Sequence, residues 1–116
     1  MAMLVKRFND AKPYEAPNHF DMRAVRLQGF EEGGPTKSWV GLSHFLPNGG
    51  AGPDSSPLEK VYVVLAGQVT VRSRGETVVL NAMDSCYIGP DEVREVRNES
   101  NSVATMLVVM PYPEKR

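Results

Sequence analysis

Much of what usually stabilises a small secreted protein, or supplies a metal centre, is missing from this chain. Its 116 residues include one cysteine, Cys86, and only two histidines, His19 and His44. A single cysteine excludes an intrachain disulfide and suits a reducing compartment, so a cytoplasmic location is expected. Two histidines exclude a three-histidine metal site within one chain. No apolar run approaches the roughly 20 residues of a spanning helix. The first eight residues carry Lys6 and Arg7 and no apolar core, so neither a signal peptide nor membrane contact is expected. Charge of one sign is lacking as well. Thirteen Lys and Arg face fourteen Asp and Glu, a net charge of −1, so the basic excess of a nucleic-acid binder is absent. No run of like charge forms an interaction tail. No long 3.6-residue apolar period occurs, so any helix is short.

Turn formers, by contrast, are plentiful, with 10 Gly and 9 Pro. Length favours one domain over 1–116. Residues 1–22 read as an irregular N-terminal arm holding Pro13 and Pro17, with a short strand possible over 2–7. From residue 23 onward, short apolar runs alternate with turn signals. Strands are expected at 23–28, 38–46, 60–66, 68–72, 76–80, 85–88, 93–98 and 103–110. A tight hairpin turn is expected at Arg74-Gly75. Residues 47–57 contain Asn48, Gly49, Gly50, Gly52, Pro53 and Pro57 and read as a loop without regular structure. Many short strands at close spacing indicate an all-β sandwich or barrel, and eight of them fit a double-sheet jelly roll.

Two segments give that architecture a family. "LEKVYVVLAGQVTV" (58–71) and "MDSCYIGPDEVREVRN" (83–98) resemble, in order and separation, the two motifs of the cupin superfamily, G-x5-H-x-H-x3/4-E-x6-G and G-x5-P-x-G-x2-H-x3-N. The resemblance extends over about 37–112. It implies a double-stranded β-helix, an RmlC-like jelly-roll barrel with a small-molecule cavity. It also implies a homodimer, paired through a sheet face and exchanged N-terminal strands within residues 1–30. Cupins usually bind Fe, Mn, Ni or Zn through three histidines and a glutamate. Counting from Gly67 places Lys60 at the glutamate position and Asp54 and Ser56 at the histidine pair. Counting from Asn98 places Arg94 at the last histidine. Anchoring on Pro90 instead would place Glu95 there. Lysine and arginine only donate hydrogen bonds and repel cations, so no metal and no other cofactor is expected. A one-residue slip would offer a nonstandard metal site from Glu59, Asp54 and His44.

The same register implies what the cavity holds. Lys60 shares strand parity with Tyr62 and Val64, and Arg94 with Val96, so two cations and a phenol should face inward. An arginine fork suits a carboxylate or phosphate. A desolvated lysine beside another cation can serve as a base or a Schiff-base amine. Tyr62 can act as an acid. His44 shares parity with Val40, Leu42 and Leu46, an apolar face expected to point inward, where a histidine could be a general base. His44, Lys60 and Tyr62 are therefore the candidate catalytic residues. Arg94, Asp54, Ser56 and Met106 are the candidate substrate-binding residues. His19 reads as a surface or packing residue and Cys86 as an inert buried thiol. Trp39, opposite in parity to His44, would mark an interface if exposed. The expected partner is a small anionic organic acid. The expected activity is a metal-independent isomerase, lyase or decarboxylase step, as the metal-free sugar epimerases among cupins suggest, although their His-Asp-Tyr pattern is not matched here. The alternatives are a non-catalytic ligand-binding or sensing protein, or a metal-dependent enzyme with a nonstandard site.

Overall fold

Nine strands form in the computed structural model, which describes residues 3–113. They are β1 (Pro13–Tyr14), β2 (His19–Gln28), β3 (Ser38–Asp54), β4 (Lys60–Ala66), β5 (Val69–Ser73), β6 (Glu76–Leu80), β7 (Ser85–Ile88), β8 (Arg94–Arg97) and β9 (Ala104–Pro111). All pairings are antiparallel. The order β6-β5-β8-β3-β9-β4-β7, with β2 on β3 and β1 on β2, wraps into a nearly closed barrel. The only helical pieces described are 3-10 turns at Phe8–Asp10 and Phe30–Glu32. No helix among the described residues is long and apolar enough to cross a membrane.

The long strand β3 makes the barrel possible. Its first half pairs with β9, from Ser38↔Pro111 to Phe45↔Ala104, and its second half pairs with β8, at Gly50↔Arg97, Ala51↔Val96 and Asp54↔Arg94. A strand that changes partners turns the corner between two sheets. Asn98 fixes the corner. Fully buried, it donates its side-chain amide to the carbonyls of Phe45 and Ser102 and accepts from the Ser100 backbone and hydroxyl. Its main chain exchanges bonds with Asn48 and Gly49.

The expected loop over 47–57 is thus corrected, since residues up to Asp54 are strand. Local turn propensity is overridden by pairing on both edges, to β8 and to His19 and Phe20 of β2. The glycines serve close approach rather than turning, because a Cβ at Gly50 would collide with the Val96 carbonyl. Gly50→Val is accordingly expected to break the β3–β8 ladder. It should cost more than about 3 kcal/mol, read as a large drop in denaturation midpoint.

Two other expectations are corrected. No strand forms over 3–7, and residue 2 lies outside the described residues. The arm instead lies against its own barrel, with Lys6 paired to the buried Glu32 at 2.8 Å and the Leu4 carbonyl accepting from Gln28. The inward face of β3 carries Trp39, Ser43 and Phe45, not Val40, Leu42, His44 and Leu46. Both faces of this sheet hold apolar residues. Ala24 and Arg26 line the interior, which leaves Val25 on the opposite face with its register partner Leu42, both buried. Alternation therefore could not identify the inside, and an error of one residue reverses every assignment. The Arg74-Gly75 turn forms as expected, with both residues at positive φ.

Candidate functional site

Strands β2, β3, β4, β8 and β9 line one cavity of about 230 Å³. Lys60 and Tyr62 enter from β4, Arg94 and Val96 from β8, and Met106 and Val108 from β9. Phe45, Ser43 and Ala51 come from β3, and His19 and Arg26 from β2.

Strand parity places the cations. Lys60, Tyr62 and Val64 alternate inward, at 5%, 3% and 0% exposure. Arg94 donates from Nε to the Tyr62 hydroxyl at 2.7 Å and from Nη1 to the Gly52 carbonyl at 3.1 Å. Two of its five N–H groups are thereby used, and the guanidinium is held in place. No carboxylate pairs with it within 4.0 Å among the described residues. Lys60 is more isolated still, with no hydrogen bond or ion pair among them. Burial and the charge of Arg94 push its ammonium below the ordinary lysine value, and the charge of Asp54 offsets this in part. Burial also raises the Tyr62 phenol, against the pull of Arg94.

His19, expected to be a surface or packing residue, lines this cavity. Its Nδ1 lies 2.7 Å from the Pro17 carbonyl. A carbonyl can only accept, so in the neutral ring Nδ1 carries the proton and Nε2 is the basic nitrogen. Burial lowers the imidazole below its usual value, the Pro17 carbonyl pulls the other way, and Arg94 and Lys60 add to the lowering. The unfolded chain therefore binds a proton here that the folded chain refuses, between the lowered value and about 6.5. Stability should fall as pH drops through that window. His19→Gln is expected to flatten this acid-side slope in urea titrations between pH 5 and 7.

The remaining candidates separate. Met106 lines the cavity. His44 is on the other face, with Nδ1 3.1 Å from the Thr105 hydroxyl and its ring edge-on to Phe8. Asp54 is exposed and caps the Ser55 amide, reaching the site only through its charge. The Ser56 hydroxyl accepts from the Leu58 amide, and neither Asp54 nor Ser56 lines the cavity. Glu59 is exposed and accepts from the Tyr87 hydroxyl. Glu59, Asp54 and His44 are therefore not gathered, and no group of three potential metal ligands occurs among the described residues. The donor set at the family's metal position, Lys60 and Arg94 above all, does not fit a cation.

Trp39 is also corrected. It is buried and lines the cavity rather than marking an exposed interface. With Tyr14 and Phe30 it encloses the Arg26 guanidinium, which lies 3.9 Å from the Tyr14 ring centre, 4.1 Å from Phe30 and 5.0 Å from Trp39. Glu31 pairs with Arg26 at 2.9 Å, so this cation is already compensated. Cys86 is half-buried and lies outside the cavity, and burial pushes its thiol up.

Comparison with known proteins agrees with this architecture. The family described as "Cupin domain" matches residues 41–110. A β-D-galactosidase of Mycobacterium tuberculosis is 38% identical over 111 residues, covering 96% of each chain. The polyketide cyclase RemF of Streptomyces resistomycificus superimposes with a TM-score of 0.85 at 18% identity, over 99% of this chain and 83% of that one. An RmlC-like cupin of Shewanella frigidimarina gives 0.78 at 13% identity, over 98% and 95%.

Proposed function

The chain belongs to the cupin family, and on that footing we propose that its barrel binds a small organic anion and acts on it without a metal ion. The observation that carries this reading is the pair of buried cations with no paired carboxylate. Burying an ammonium or guanidinium costs several kcal/mol unless a counter-charge is supplied. Here the cavity has room to supply it in the form of a ligand. Arg94 holds the anionic group with its remaining N–H groups, and Lys60 adds a second charge. Phe45, Val96, Met106 and Val108 form apolar walls that exclude water. At about 230 Å³ the space lies below the roughly 300–1,000 Å³ of pockets for drug-sized ligands, which favours a small metabolite. His19 and Tyr62 supply a base and an acid for proton transfer on the bound molecule.

A melting screen of paired acids and neutral analogues tests the reading, for example galacturonate against galactose and lactate against propanediol. Acids should raise the melting temperature and their neutral partners should not. Equal shifts, or none, would remove the anion site.

Hydrolysis of a galactoside is the second reading, favoured by 38% identity along almost the whole of the galactosidase chain. Glycosidases generally flank the bond with two carboxylates about 5–9.5 Å apart. Of the residues lining this cavity only Glu15 is acidic, and it is exposed. That shortage places the reading second. Turnover of a chromogenic β-galactoside, lost in Glu15→Gln, would move it first.

A further inference from the structure

Lys60 has features that anion binding alone does not require. A second arginine would bind a carboxylate better, through a planar fork. A lysine differs in having a primary amine that becomes a nucleophile once it loses its proton. Lys60 as a residue is 5% exposed, lines the cavity, and its amine has no hydrogen bond or ion pair among the described residues to hold it as an ammonium. Arg94, tied to Tyr62 and Gly52, is the fixed charge in the same cavity.

We propose that Lys60 captures a carbonyl carbon covalently, forming an imine with a small oxo acid whose carboxylate Arg94 holds. The proposal rests on the anion reading above and names its substrate class: 2-oxo acids and similar carbonyl carboxylates. The amine lone pair attacks the carbonyl carbon, and the carbonyl oxygen takes up a proton to give a carbinolamine. The nitrogen loses one proton, the hydroxyl takes up a second and leaves as water while the C=N bond forms, and the nitrogen then gives up its remaining proton. One amine and one carbonyl become one imine and one water, with no oxidant or reductant. Proton transfer in each direction has a partner in the cavity. The Tyr62 hydroxyl can donate toward the carbonyl oxygen. His19, with Nδ1 committed to Pro17, offers Nε2 as a base. The low proton affinity of Lys60, caused by burial and then by Arg94, keeps more of the amine in its attacking form. Apolar walls favour loss of water.

Reductive trapping tests this on the intact protein. The chain is incubated near pH 7 with pyruvate or glyoxylate and cyanoborohydride, which delivers hydride to an imine and fixes it as a secondary amine. Peptide mapping then locates the adduct. Labelling of Lys60 is expected at roughly tenfold or more the rate at Lys6, Lys12 and Lys37, whose amines lack this burial. Acetaldehyde, which has no carboxylate, should show no such preference. Lys60→Arg, which has no primary amine to form an imine, should lose the adduct. Uniform labelling of all lysines would overturn the imine. If lactate or pyruvate raises the melting temperature but Lys60 stays unlabelled, the imine fails and the anion site survives. If no acid shifts melting and no adduct forms at Lys60, both fail.

Discussion

Arg94→Met is expected to weaken binding of an anionic ligand about a hundredfold or more. Losing one partner of a buried, hydrogen-bonded charge pair costs about 2–5 kcal/mol, and each 1.4 kcal/mol is tenfold in affinity. The expected effect on folding is much smaller, because two consequences oppose each other. Without Arg94, the Tyr62 hydroxyl at 3% exposure and the Gly52 carbonyl lose their partner. Each such loss costs about 1–3 kcal/mol when the group stays unsatisfied. Against this, an unpaired buried guanidinium is removed, which relieves its desolvation and its repulsion of Lys60. Calorimetric titration with the best acid from the melting screen reads the first effect, and urea unfolding of the ligand-free protein reads the second. Unchanged affinity would show that Arg94 does not face the ligand.

Lys60→Met is expected to do what few active-site changes do outright, namely raise the stability of the ligand-free protein while removing function. Methionine matches the lysine stem in length and leaves no charge in the cavity. Replacing uncompensated buried charge with apolar packing commonly stabilises by about 1–4 kcal/mol. The pH dependence identifies the cause. Lys60 holds its proton less tightly in the folded chain than in the unfolded chain, because of burial and then Arg94. Between the lowered folded value and about 10.5 the unfolded state therefore binds more protons, and wild-type stability rises with pH across that window. Below it, Lys60 is charged in both states and its full penalty is present. The Lys60→Met chain should lack this rise, so its advantage should be largest at neutral pH and shrink toward pH 10. An advantage constant across pH would indicate improved packing alone.

The barrel was legible in the sequence because short β-rich runs, the Arg74-Gly75 turn and the two motif skeletons all indicate the same architecture. The interior cations were legible through the motif register, with Lys60 and Arg94 standing where the family has metal ligands. Three things were hidden, each for a physical reason. The extension of β3 is specified by the backbones of β2 at Gly49 and β8 at Gly50 and by the Asn18 side chain at Gly52, which local composition cannot reveal. His19 was missed because Asp21 takes a positive φ and shifts the β2 register between Phe20 and Met22, interrupting the alternation that would have extended the strand back to it. His44 was placed inside because Leu42 is buried on a sheet that is apolar on both faces.

The most direct test of the account is an experimental structure of the protein soaked with the acid that shifts melting most. The account expects the carboxylate inside the barrel, within hydrogen-bonding distance of the Arg94 guanidinium and the Lys60 amine, with His19 and Tyr62 facing the rest of the molecule. A metal ion held in the cavity, or an acid bound only outside it while Lys60 and Arg94 face water, would contradict it.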